Sequence, residues 1–267
     1  MSAAFHAEAQ PPRDALTAMT SDVSAAEWII DRLHPFGTDL GSIIPAGFGA
    51  YARILHPWHP RTRNGPKVRW GRLASESGCE LDGGTQFEEL QAQAEPHGLR
   101  EPEEGTLDRD VLEVLIELLT PATASPEKCW LAWWDGYGWM QGPPAVAELS
   151  PLAEAGEPAM RPSGSKSPSH SELLSLHVAS AAALRVNIPG RPMILYRGTI
   201  QAASAFYDGL VSQSPNLWWP DDRSWCVASE IDFRSTYVAG SRELIEALTR
   251  DERLEAIPAK TTGRVTD

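Results

Sequence analysis

Cys129-Trp130-Leu131-Ala132-Trp133-Trp134 is a run of aromatic and apolar residues closed by Asp135-Gly136-Tyr137-Gly138 and then Trp139. Bulky aromatic side chains suit a pleated strand and Asp-Gly suits a tight turn. The run therefore predicts a strand over 129–134 and a hairpin whose return leg holds Trp139. A second aromatic stretch, Trp218-Trp219-Pro220-Asp221-Asp222-Arg223-Ser224-Trp225, brings the two segments to seven of the ten tryptophans. Trp carries the largest apolar surface and one N–H donor, so such clusters either build a core or line an aromatic cleft.

Outward from these stretches the chain alternates helical and extended patterns. Ser224 to Asp232 has period two, with Trp225, Val227, Ser229 and Ile231 on one face and Cys226, Ala228, Glu230 and Asp232 on the other. Tyr51 to Leu55 and Pro192 to Tyr196 read as strands, and Asn216 to Asp222 as a loop. Thr106 is placed to cap a helix whose apolar stripe runs from Leu107 through Val111, Leu112, Leu115 and Leu119, closed by Pro121. Ser241 is placed to cap a last helix with Leu244, Ile245 and Leu248 on its buried edge. A capping box, Ser24-Ala-Ala-Glu27, opens a short helix, and 85–94 and 170–183 read as two more. A few helices among unevenly spaced strands predict an α+β fold, a mostly antiparallel sheet with helices packed on one face.

Residues 1–20 read as a disordered leader, 21–259 as one α+β domain, and 260–267 as a frayed tail. The Pro-, Ala- and Ser-rich stretch 142–169 reads as a linker or surface insertion. The leader has no signal-peptide character, no run of the chain is long enough for a membrane helix, and Cys79, Cys129 and Cys226 are three unpaired singletons. These features point to the cytoplasm.

The net charge of −13 is unevenly placed. Residues 53–72 hold six basic side chains and no acid, and residues 80–117 hold twelve acids against two arginines. An acidic chain is a poor general binder of nucleic acid. Within the basic segment, His56, Trp58, His59, Arg61 and Arg63 form a candidate anion site, with Trp58 as a stacking surface. The alternative is a solvated Pro-rich loop.

Three acids are candidates for catalysis. Asp222 lies in the second aromatic stretch, and Glu230 and Asp232 share a strand face roughly 7 Å apart at 3.3–3.4 Å per residue. Paired carboxylates beside aromatic platforms suit a saccharide hydrolase. The plainer reading makes Asp221 and Asp222 turn residues and pairs Glu230 and Asp232 with Arg223 or Arg234. Adjacent residues of a strand face opposite ways, so one member of Trp133-Trp134 and one of Trp218-Trp219 is expected on a less buried face. With Asp221 and Arg223 they make a candidate binding surface. No dinucleotide, phosphate-loop, nucleophile-elbow or zinc motif is present, and no metal or cofactor is expected.

Leu217-Trp-Trp-Pro-Asp-Asp-Arg-Ser-Trp-Cys-Val-Ala-Ser-Glu-Ile-Asp232, with Ser235-Thr-Tyr-Val-Ala-Gly-Ser241, resembles a pattern in uncharacterised actinobacterial proteins. The resemblance implies a bacterial, cytoplasmic origin and no particular activity, cofactor or catalytic residue. The composition as a whole favours a non-catalytic protein of the immunity or adaptor kind, with an aromatic and acidic surface for a basic protein partner. A hydrolase of a saccharide or other small polar substrate is the alternative.

Overall fold

The structure, a computed structural model, describes residues 16–37, 39–62, 65–94, 96–140, 182–207 and 211–265. Nine strands form one sheet: β1 (Thr17–Ala18), β2 (Ala50–Leu55), β5 (Cys129–Trp134), β6 (Arg185–Ile188), β7 (Arg191–Gly198), β8 (Leu217–Pro220), β9 (Cys226–Ala228), β10 (Ser235–Gly240) and β11 (Ala256–Ala259). Their order is β1-β7-β5-β8-β9-β10-β2-β11, with β6 also beside β7, and every pairing is antiparallel. Two further strands, β3 (His59–Pro60) and β4 (Leu99–Arg100), pair apart from it. The helices are α1 (Glu27–Ile30), α2 (Trp70–Ser77), α3 (Phe87–Ala94), α4 (Arg109–Leu119) and α5 (Arg242–Arg250). The α+β class expected from the sequence is the one observed.

The period-two pattern explains the sheet, and both of its faces are covered. Ile54, Leu131, Trp133, Trp218, Trp225, Val227 and Val238 point to the face under α4 and α5. Their strand neighbours Ala132, Leu217, Trp219, Cys226, Ala228 and Tyr237 point to the opposite face, against Trp28 and Ile29 of α1 and the chain at 40–44. The helices α4 and α5 thus lie together on one face, while α1 and irregular chain close the other. A third core, around Trp58, Trp70, Leu73, Phe87 and Leu90, joins α2 and α3 to the edge of the sheet.

Several expectations give way to tertiary contacts. Residues 217–220, read as a loop, are β8, a central strand between β5 and β9. Pro220 is tolerated because it closes the strand. Among the described residues no return leg follows β5: Trp139 lies in a 3-10 turn at Gly138–Met140, and β5 takes β7 and β8 as neighbours instead. Thr106 does not cap α4, which Asp108 precedes. Its hydroxyl is buried and accepts from the Ser214 amide at 2.9 Å. Ser241 does cap α5, accepting from Leu244 N at 3.2 Å.

The boundaries shift as well. Thr17 and Ala18, within the stretch read as a leader, pair with Arg197 and Tyr196. The carbonyls of Thr261 and Gly263, in the stretch read as a frayed tail, accept from Gly41 and Leu40 at 2.9 and 3.0 Å. The 142–169 stretch, and the helix read at 170–183 apart from its last two residues, lie outside the described residues.

Candidate functional site

The connection from β9 to β10 continues the alternation of β9 for one more step. That step puts Glu230 on the same face as Ala228, beside Leu217 and Met193. The β6–β7 hairpin stands opposite, and its two-residue turn is Pro189-Gly190. Gly190 has φ +77, a conformation glycine adopts without steric cost, and a Cβ there would meet the Phe36 ring at 3.1 Å. Between the hairpin, the β9–β10 connection and the side chains of Phe36, Ser42 and Ile43 lies a partly open cleft that encloses about 30 Å³. Its apolar lining includes Phe36, Ile43, Ile188 and Met193, and its charged members are Arg191 and Glu230.

Arg191 opens β7 and organises the polar end of this cleft. Its Nε donates to Glu230 Oε1 at 2.7 Å, Nη2 to Asp232 Oδ2 at 2.9 Å, and Nη1 to the Gly190 carbonyl at 3.1 Å. The guanidinium also sits over Phe36, 5.1 Å from the ring centroid. The Glu230 side chain is only 8% exposed, while that of Asp232 is 68% exposed. Burial pushes the Glu230 carboxyl up, and the Arg191 guanidinium only partly offsets it. The second oxygen of Glu230, Oε2, is buried and makes no hydrogen bond. The neighbouring Ile231 amide, hydrogen-bonding to the carboxyl group, gives a smaller push toward the charged form than Arg191 does.

One nitrogen, Arg191 Nη2, contacts both carboxylates, at 2.5 Å for Glu230 and 2.9 Å for Asp232. Their nearest oxygens are thus closer than the roughly 6.5–9.5 Å that leaves room for an attacking water. The partner of both acids is Arg191, where the sequence suggested Arg223 or Arg234. Arg223 instead adopts a left-handed conformation, φ 55, in the β8–β9 turn and lies 5.3 Å from the Trp28 ring centroid. Asp221 accepts from Trp130 Nε1 at 3.1 Å. Asp222 accepts from the Thr123 hydroxyl and from the amides of Ala124 and Ser224, at 2.8, 2.7 and 3.0 Å. Burial would raise its pKa, but these hydrogen bonds outweigh it and hold the carboxyl below the usual range. Both aspartates therefore serve the turn.

No family model, curated protein or solved structure matches this chain. The residues themselves must therefore carry any functional reading.

The tryptophans do not form the expected surface. Trp133, Trp218 and Trp219 are buried, and only Trp134 of the four candidates is half-buried, edge-on to Tyr137 at 5.3 Å. The reason is the cover on both faces of the sheet: Trp218 meets one core and Trp219 the other, while Trp134, the last residue of β5, joins neither.

The described side chains of the basic segment are largely engaged in contacts within the protein. Trp58 is buried and stacks on Phe87 at 5.1 Å. His59 Nε2 lies 3.3 Å from Asp108, and Lys67 reaches Asp108 and Asp110 at 2.7 and 2.6 Å. Arg61 donates to the Leu99 carbonyl at 3.0 Å, and Arg63 lies outside the described residues. His56 is buried, with Nδ1 2.9 Å from the Glu103 carbonyl and Nε2 2.9 Å from the Thr236 hydroxyl. A carbonyl only accepts, so Nδ1 carries the proton and Nε2 accepts from Thr236. Burial pushes its pKa down to about 4. The candidate anion site is therefore not assembled by the described residues. Among them no group of three or more His, Cys, Asp or Glu is placed to hold a metal ion.

Reasoning from sequence missed Arg191 and Phe36. A signal for the first was present: Pro189-Gly190 follows the alternating Val186 and Ile188, and Pro-Gly marks a turn. Phe36 belongs to no helix or strand, and only the folded chain brings it to the cleft.

Proposed function

We propose that this chain is a non-catalytic, cytoplasmic binding protein that engages a basic protein partner, as immunity and adaptor proteins do. The observation that carries the reading is the display of its negative charge. Every described acid of the 80–117 segment except Asp108 is exposed. The candidate catalytic acids are meanwhile engaged by Arg191 or by the β8–β9 turn. Complementary charge steers a basic partner and sets specificity more than it sets affinity. No helix among the described residues is long and apolar enough to cross a membrane.

The test is affinity capture from a lysate of the source organism at low and high salt. Glu80 and Glu88 are exposed and belong to no ion pair among the described residues, so an E80K/E88K variant serves as control. A basic protein held by the wild type, and released by salt or by the charge reversal, is the expected result. Recovery that is indifferent to both overturns the reading.

A second reading, a hydrolase of a saccharide or other small polar substrate, is favoured by one observation. A buried carboxyl with a raised pKa, Glu230, stands beside an exposed one, Asp232, at a cleft. On that reading Glu230→Gln and Asp232→Asn each abolish turnover while the fold survives. Turnover unchanged in both variants rules out these acids.

A further inference from the structure

We propose that the cleft between the β6–β7 hairpin and the side chains of Phe36 and Ile43 seats one primary ammonium on an aliphatic stem, a lysine side chain of the partner, with Glu230 Oε2 as its acceptor. The inference rests on the binding reading above and names the chemistry of contact.

The donors of the site are already committed. Arg191 spends Nε, Nη1 and Nη2 on Glu230, the Gly190 carbonyl and Asp232. An anionic ligand would have to displace two carboxylates from it. The spare capacity is an acceptor: Oε2 belongs to a side chain 92% buried, at 8% exposure, and has no hydrogen bond. A buried carboxylate oxygen without a donor is costly, and a charged donor relieves that cost best. The charge balance points the same way, since one guanidinium faces two carboxylates. One negative charge is left over, and a monocation neutralises it.

The walls select the stem. Ile43, Ile188, Met193, Leu217 and Phe36 line the approach and favour methylenes over a polar linker. The enclosed space of about 30 Å³ takes a group of ammonium size and no helix or folded loop, so the stem lies toward the open side of the cleft. Oε2 is shielded from water, so the ammonium must displace part of the lining to meet it. Phe36, at 48% the most exposed large apolar side chain described, has the most room to yield.

The experiment titrates the intact protein with N-acetyl-lysine methylamide and with its norleucine isostere, which keeps the stem and lacks the ammonium. Amide resonances of 36–43 and 188–193 are followed by NMR. The expected result is saturable shifts with the lysine probe, at least about tenfold weaker binding of the isostere, and a similar loss in Glu230→Gln. Asp232→Asn is expected to weaken binding less, because Asp232 is exposed and screened. Equal binding of the two probes to the wild type overturns the proposal without any variant, so a misfolded Glu230→Gln leaves it testable. No shift with either probe overturns it too. If the lysine probe fails while a basic partner is still captured in a salt-dependent way, this inference falls and the binding reading stands. If the probe binds and no basic partner is captured, the pocket chemistry stands and the protein-partner reading falls.

Discussion

The β9–β10 connection carries an arginine-bridged pair of carboxylates at each end, and the two pairs differ in burial. At one end Arg191 holds Glu230 and Asp232. At the other Arg234 holds Glu101 and Glu104, at 2.8 and 2.6 Å, and lies 4.0 Å from the Phe87 ring centroid. The side chains of Glu101 and Glu104 are 48% and 47% exposed, while that of Glu230 is 8% exposed. The same chemistry thus yields two outcomes. The Arg234 pair is wetted by solvent and clips the 101–105 loop to the sheet. The Arg191 pair has one oxygen, Glu230 Oε2, that is buried and makes no hydrogen bond, and that unmet acceptor makes the cleft a candidate site.

The largest effect that would break this comparison comes from removing the buried partner. Arg191→Met leaves Glu230 as an uncompensated buried charge and is expected to cost about 3–5 kcal/mol in urea unfolding at neutral pH. The deficit should shrink on acidification, because the carboxyl then takes up a proton. A loss below that of the Arg234 variant would mean that Glu230 is solvated after all.

The pH dependence comes next. His56 holds the same 101–105 loop as Arg234, through the Glu103 carbonyl. Burial lowers its pKa from 6.5 to about 4, so between these values the unfolded chain binds the proton and the folded one does not. Its contribution is intact above pH 6.5 and is lost as pH falls toward 4, on the order of 3 kcal/mol in all. Urea midpoints across that range should fall more steeply for the wild type than for His56→Gln. Parallel curves would show that His56 is not the titrating group.

Arg234→Met is expected to cost about 1 kcal/mol, since its ion pairs are half exposed and the methionine keeps some contact with Phe87. Raising the salt concentration should weaken the wild type at this end by a few tenths of a kcal/mol and leave the buried Arg191–Glu230 contact nearly unchanged. Double-mutant cycles of Arg234 with Glu104, at two salt concentrations, measure that difference. A salt-independent coupling would place the pair in a drier setting than its exposure implies.

Much of the scaffold was legible in local patterning. The aromatic run at 129–134, the apolar stripe of α4 and the Ser241 cap all follow from near-neighbour spacing, which fixes the direction of each side chain within its own element; the alternation read from Ser224 to Asp232 is a strand only over Cys226–Ala228, and residues 231–232 turn. Residues 217–220 misled because Trp-Trp-Pro-Asp-Asp ends in turn-forming residues, whereas its first residues find ladder partners on both sides.

What the chain determined by itself was the class of fold, the strand faces and the placement of its surplus negative charge. The tertiary structure alone decided which faces are dry and which charges are paired. Adjacent tryptophans point opposite ways in any strand, but only the cover of α4 and α5 on one side and of α1 with the 40–44 chain on the other buries both Trp218 and Trp219. Glu230 meets Arg191 from 39 residues away, while Arg234, four residues along, meets Glu101 and Glu104 from the loop before α4. Burial and ion pairing depend on what the folded chain lays over a residue, and spacing along the sequence does not contain that.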